Sequence, residues 1–185
     1  MTTSRKTSMS TRLRQALVRF TEEDRQHFPG RVGLHEYLLA HGRAYPSSPL
    51  TPEELDRLRC VPGTRSRYRP GLCFYNAQRL VAADTTDTLM YVEGVVARYG
   101  LVIVHHAWVI LNGKVIDVTW PAAQPRRSGP LRNRIVGEFP AHTGYYGAEF
   151  TALEVVGSLV QKNAYEPLIC DIGPTGAART PLRSA

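Results

Sequence analysis

The chain has 185 residues, of which 43% are hydrophobic and 21% charged, a balance ordinary for a soluble globular protein with enough length to bury a sizeable core. No apolar run reaches the roughly 18–20 residues that span a bilayer. Three cysteines, odd in number and widely spaced, argue against a disulfide framework and show no CxxC zinc spacing, so a reducing compartment is expected.

The net charge of +7 comes from arginine far more than lysine. It gathers in the N-terminal 31 residues, in RSRYR (65–69) and in PRRSGPLRNR (125–134). Such segments carry no helix-turn-helix, zinc-finger or RNA-binding signature, so they read first as solvated surface. Flanks of a pocket for an anionic substrate are the second reading, and a nucleic-acid site is disfavoured. The opening MTTSRKTSMSTRLRQALVRF has neither an apolar h-region nor a small-residue cleavage site, which makes the cytoplasm the expected location.

In chain order, residues 1–10 are expected to be disordered. A short helix follows over 11–28, with Leu13, Leu17 and Phe20 at helical spacing. Gly33–His41 reads as a second helix ended by Gly42. Thr51-Pro52 with Glu54 is a helix start, with a hydroxyl N-cap, proline at the first position and acids in the first turn; that helix should stop near Cys60–Val61. These N-terminal helices (11–60) precede a core over 65–165, within one α+β domain spanning 11–172.

Cys73–Ala83 reads as a helix with Phe74, Ala77, Leu80 and Val81 on one stripe. Leu89–Ala97, Leu101–Leu111 and Lys114–Thr119 read as strands. Asn112-Gly113 between the last two is the strongest hairpin signal in the chain, because a type I′ turn requires positive φ at both central residues. Pro121–Asn133 reads as a loop and Arg134–Phe139 as a region with a further strand. Thr143–Gly147 reads as a Gly/Tyr loop, Phe150–Asn163 as a helix or strand, and 173–185 as a disordered tail.

The hairpin register turns residue order into geometry. With Leu111 opposite Lys114, Trp108 falls opposite Asp117, and His106, Trp108 and Ile110 share a face with Val115, Asp117 and Thr119. His106 and Asp117 become diagonal neighbours about 7–8 Å apart in backbone, within reach of an imidazole–carboxylate hydrogen bond. His105 points to the other face. Cys73, after Pro70-Gly71-Leu72, is expected in the first turn of a helix, where free N–H groups and the dipole favour a thiolate and offer part of an oxyanion hole. Asn76, Glu93 and Tyr146 are candidates for the remaining donor. A thiol, a base and a carboxylate that orients the base are what nucleophilic catalysis by cysteine requires.

These residues resemble the papain-like thiol enzymes, specifically the transglutaminase-like branch. The likeness lies in GLCFYNA at a helix start, HAW on a strand and D-x-T-W on the next, and covers about residues 70–120. It implies an α+β fold with the cysteine helix packed on an antiparallel sheet, Cys73 as nucleophile, His106 as base and acid, and Asp117 as orienting carboxylate. Neither a metal nor an organic cofactor is implied. Asn76, Glu93, Trp108, Trp120, Tyr145 and Tyr146 are the expected substrate-binding residues. Phe74-Tyr75 stand where many members have Trp after the cysteine.

The expected function is a thiol-dependent amidohydrolase or acyltransferase acting on an amide or ester substrate through a Cys73 acyl-enzyme. The alternative is a non-catalytic interaction or nucleic-acid-binding protein on the same scaffold, favoured only by the +7 charge.

Overall fold

A computed structural model describes residues 8–46, 48–62, 64, 68–98, 102–119 and 143–169. They form an α+β architecture with five helices and a five-stranded antiparallel sheet. The first helix, α1 (Met9–His27), begins earlier than the sequence suggests because Ser8 caps it, its hydroxyl accepting from the Thr11 N–H at 3.2 Å. Disorder is expected over residues 1–10; Ser8–Ser10 are instead a cap and a first turn, and residues 1–7 lie outside the described residues. Helix α2 (Leu34–His41) ends at Gly42, and the strand β1 (Arg43–Tyr45) that follows has no counterpart among the predicted elements.

Helix α3 (Pro52–Cys60) starts on the predicted cap, which closes into a full capping box. Its Glu54 also accepts from Lys114 Nζ at 2.7 Å and Asn112 Nδ2 at 3.0 Å, so the box is tied to the Asn112-Gly113 hairpin. Burial opposes ionisation of Glu54, but these donors outweigh it and hold its pKa down to about 2.

Helix α4 (Cys73–Ala82) follows a turn in which Gly71 takes φ +77°. Strands β2 (Leu89–Arg98), β3 (Val102–Leu111) and β4 (Lys114–Ile116) then run as a meander. The hairpin register is the one counted from the turn: Leu111 pairs with Lys114, Ile110 with Val115 and Val109 with Ile116. Asn112 and Gly113 have φ of +53° and +75°, as a type I′ turn requires. Pairing stops at Ile116, so Asp117 and Thr119 lie beyond the strand expected to hold them.

Thr143–Gly147 is not a loop. It belongs to β5 (Thr143–Phe150), an interior strand between β1 and β2. Its glycines serve packing: a Cβ on Gly147 would come within 2.7 Å of the Trp108 ring and 2.8 Å of the Glu93 carbonyl oxygen. The segment after Phe150 resolves as helix α5 (Ala152–Lys162), started by a Thr151–Glu154 capping box. The loop predicted at Pro121–Asn133, the strand within Arg134–Phe139 and the tail at 173–185 lie outside the described residues, as do Trp120 and Cys170.

The sheet order is β1-β5-β2-β3-β4. One face carries the larger core, where α1, α2, α4 and α5 cover Tyr91, Val95, Ala107, Val109, Tyr146 and Phe150 with Leu13, Leu17, Leu38, Leu80 and Val155. The other face carries Tyr45, Val92, Val96, Trp108, Ile110, Val115 and Tyr145. Among the described residues, no helix is long and apolar enough to cross a membrane.

Candidate active site

Cys73 is the first residue of α4 and is nearly buried, at 7% exposure. Leu72 caps the helix without a side-chain hydrogen bond, so Asn76 stabilises the entry instead. The Asn76 side chain accepts from the Arg69 N–H at 3.0 Å and donates to the Arg69 carbonyl at 2.8 Å, pinning the approach loop to the first turn. The same Nδ2 donates to Thr119 Oγ1 at 2.9 Å. Asn76 is fully buried, and both ends of its amide are engaged in these contacts.

On β3, side-chain alternation separates the two histidines. His106 lies on the face of Trp108 and Tyr145, and its Nε2 meets Asp117 Oδ2 at 2.8 Å. Both groups are buried. Asp117 also accepts the Tyr145 hydroxyl on Oδ2 at 2.8 Å and the Thr119 N–H on Oδ1 at 2.9 Å, the latter an Asx-type turn made possible by the D-x-T spacing. Each carboxylate oxygen therefore has a donor, and the acid is held from three directions.

Burial alone would lower the His106 pKa. The charge and hydrogen bond of Asp117 overcome that, the Cys73 sulfur adds to them, and the imidazole is raised to about 10. Asp117 engages Nε2, and Nδ1 is the ring's other nitrogen. The arrangement can therefore stabilise an imidazolium next to a cysteine at a helix start.

The structure distributes the expected substrate-binding residues differently from one another. Tyr145 joins the His106–Asp117 pair as a hydrogen-bond donor. Trp108 is wholly buried behind that pair, edge-on to Tyr145 at 5.1 Å and to Tyr45 at 5.7 Å between ring centres, and forms a wall. Tyr146 points to the opposite face, into the main core.

Glu93 is also on that opposite face and is fully buried. Its carboxylate accepts from His105 Nε2 at 2.9 Å, Tyr91 OH at 2.9 Å, and the N–H groups of Leu168 and Ile169 at 2.6 and 3.0 Å. Sequence reading passed over Thr119, His105 and Tyr91 as partners. Of these, only Thr119 carried a local signal, its position two residues after an aspartate.

Across the neighbouring strands, Gly94 pairs with His106 and Gly147 pairs with Gly94. No side chain projects from β2 or β5 at the level of the imidazole, and the indole of Trp108 lies against Gly147 there. Among the described residues, no group of three or more His, Cys, Asp or Glu side chains is gathered as a metal site. No protein-family model, curated protein or solved structure matches this chain.

Proposed function

We propose that this chain is a thiol-dependent amidohydrolase or acyltransferase that works through a Cys73 acyl-enzyme, on a transglutaminase-like arrangement of a nucleophile helix against an antiparallel sheet. The observation that carries this reading is the buried His106 Nε2–Asp117 Oδ2 contact of 2.8 Å, with the Cys73 sulfur acting on the same imidazole. A structural histidine needs one partner. This one has a carboxylate braced by two further donors, and a thiol acting on the same ring.

In this mechanism His106 already holds the Cys73 proton as an imidazolium, and the Cys73 sulfur attacks the substrate carbonyl carbon as a thiolate. The developing oxyanion meets the Cys73 N–H, which as the first helical N–H has no intrahelical acceptor. Collapse breaks the carbon–nitrogen or carbon–oxygen bond, and the imidazolium gives its proton to the leaving amine or alcohol. Water or an amine then attacks the thioester, yields its proton to His106 and releases the thiolate. Asp117 keeps Nε2 protonated and the ring oriented throughout, with Tyr145 and Thr119 fixing the carboxylate.

Competitive alkylation tests the reading. Cys60 is exposed and Cys73 is buried, so accessibility alone favours Cys60. Iodoacetamide at mildly acidic to neutral pH is expected to label Cys73 faster, and His106→Gln is expected to abolish that preference. Labelling of Cys73 no faster than Cys60 would remove the activated thiol, and the enzyme reading with it.

A further inference from the structure

The RSRYR segment contributes a second feature beside the nucleophile helix. Arg69, its last residue, places its guanidinium carbon 4.8 Å from the centre of the Tyr75 ring. Arg79, one turn beyond Tyr75 on the same face of α4, lies 5.6 Å from that ring and 5.8 Å from the ring of Tyr68. Tyr165 meets Tyr75 edge-on, with ring centres 4.7 Å apart.

Two guanidiniums directed at one ring bring like charges into one neighbourhood, which a nearby anion would offset. Among the described residues, neither Arg69 nor Arg79 makes an ion pair. Arg79 Nε is buried and has no hydrogen-bond acceptor there. The Arg69 backbone is fixed by Asn76, which holds both its N–H and its carbonyl, and its exposed side chain lies over Tyr75. The cluster is thus positioned, aromatic-backed and short of negative charge.

We propose that Arg69 and Arg79, converging on Tyr75, form an anion site on the side of α4 away from Cys73 that takes the phosphate group of a phosphate monoester. Charge selects phosphate over carboxylate: two uncompensated guanidiniums match a group carrying about −1.5 to −2 with three acceptor oxygens. Guanidinium forks bind such oxygens in pairs. At 3.6 residues per turn, Tyr75 and Arg79 lie about 200° and 240° around α4 from Cys73, so the site is on the other side of the helix from the buried thiol. The site stands apart from the thiol-enzyme reading above and does not rest on it.

Calorimetric titration of the full chain with methyl phosphate, at neutral pH and fixed ionic strength, tests the site. Saturable one-site binding is expected, weakened roughly tenfold or more in Arg69→Gln/Arg79→Gln and unchanged in Cys73→Ala. Arg69→Lys/Arg79→Lys, which keeps the charge but loses the fork, is expected to fall between. Single Arg69→Gln, at an exposed side chain, serves if the double variant does not fold. No saturable binding, or binding that the glutamine variants leave unchanged, overturns the subsite, and succinate binding as tightly as methyl phosphate overturns the choice of phosphate. A reactive Cys73 without methyl phosphate binding sinks this inference alone. Methyl phosphate binding beside an inert Cys73 sinks the enzyme reading alone.

Discussion

The side-chain amide of Asn76 donates to the hydroxyl of Thr119 at 2.9 Å, joining the first turn of α4 to the segment that carries Asp117. Thr119 in turn donates its N–H to Asp117, so an unbroken chain of hydrogen bonds runs from the loop before Cys73 to the carboxylate on His106. Elements 43 residues apart in sequence are thereby held in one geometry.

Asn76→Ala removes three hydrogen bonds and leaves the Arg69 backbone groups without their partner. A loss of roughly 2–4 kcal/mol is expected in urea unfolding. Thr119→Val removes only the hydroxyl contact and should cost about 1 kcal/mol, because the N–H bond to Asp117 survives. If the coupling is real, both variants slow Cys73 alkylation relative to Cys60, and they do so out of proportion to their stabilities. Equal alkylation in both would confine Asn76 to a purely structural role.

The raised proton affinity of His106 makes a prediction about pH. With the folded-state pKa near 10 against an ordinary value of about 6.5, the protonated imidazole stabilises the fold. That contribution is complete below pH about 6.5 and is lost as pH rises through about 10. Asp117→Asn removes the charge that overcomes burial, so the His106 pKa should fall and this alkaline slope should disappear. Imidazole titration by NMR, with unfolding measured across the same range, checks both. A His106 pKa that stays put in the variant would mean that Asp117 is not its cause.

Gly147 shows where local signals mislead. A glycine beside two tyrosines carries the composition of a loop, but at this position it is the neighbouring Trp108 ring that excludes a side chain. Gly147→Ala is expected to cost about 1–3 kcal/mol, since the added Cβ would meet the ring, the Glu93 carbonyl and Val92 together, and backbone cannot give way as a side chain can. Thermal unfolding within error of the wild type would show that the sheet has slack there.

The contrast explains what the sequence could reveal. The Asn112-Gly113 turn states its own φ requirement, and the hairpin register then fixes by alternation which histidine faces Asp117. Helix starts at Thr51 and Thr151 are likewise local, because cap and capped N–H groups lie within three residues. Strand β5 and the role of Tyr145 depend on long-range pairing, with Tyr145 meeting Val96 of β2 and Tyr45 of β1. Neither partner is implied by the residues around it. The donors on Glu93 come from as far as Leu168 and Ile169, and no local pattern encodes that meeting.

Glu93 provides the last test, because its setting argues for an architectural role. A carboxylate with no exposure is costly to bury, and here four donors offset that cost: an imidazole, a phenol and two successive backbone N–H groups. The two backbone donors anchor the segment after α5 onto β2, and Gln78 reinforces them through the Glu166 carbonyl at 2.6 Å. Glu93→Ala should therefore cost roughly 3–5 kcal/mol and deprotect the amides of Leu168 and Ile169 in hydrogen exchange. His105→Gln, at a half-buried position, should cost far less, because the other three donors still satisfy the carboxylate. If Glu93→Ala leaves those two amides as protected as before, the segment is held by its apolar contacts and not by the carboxylate.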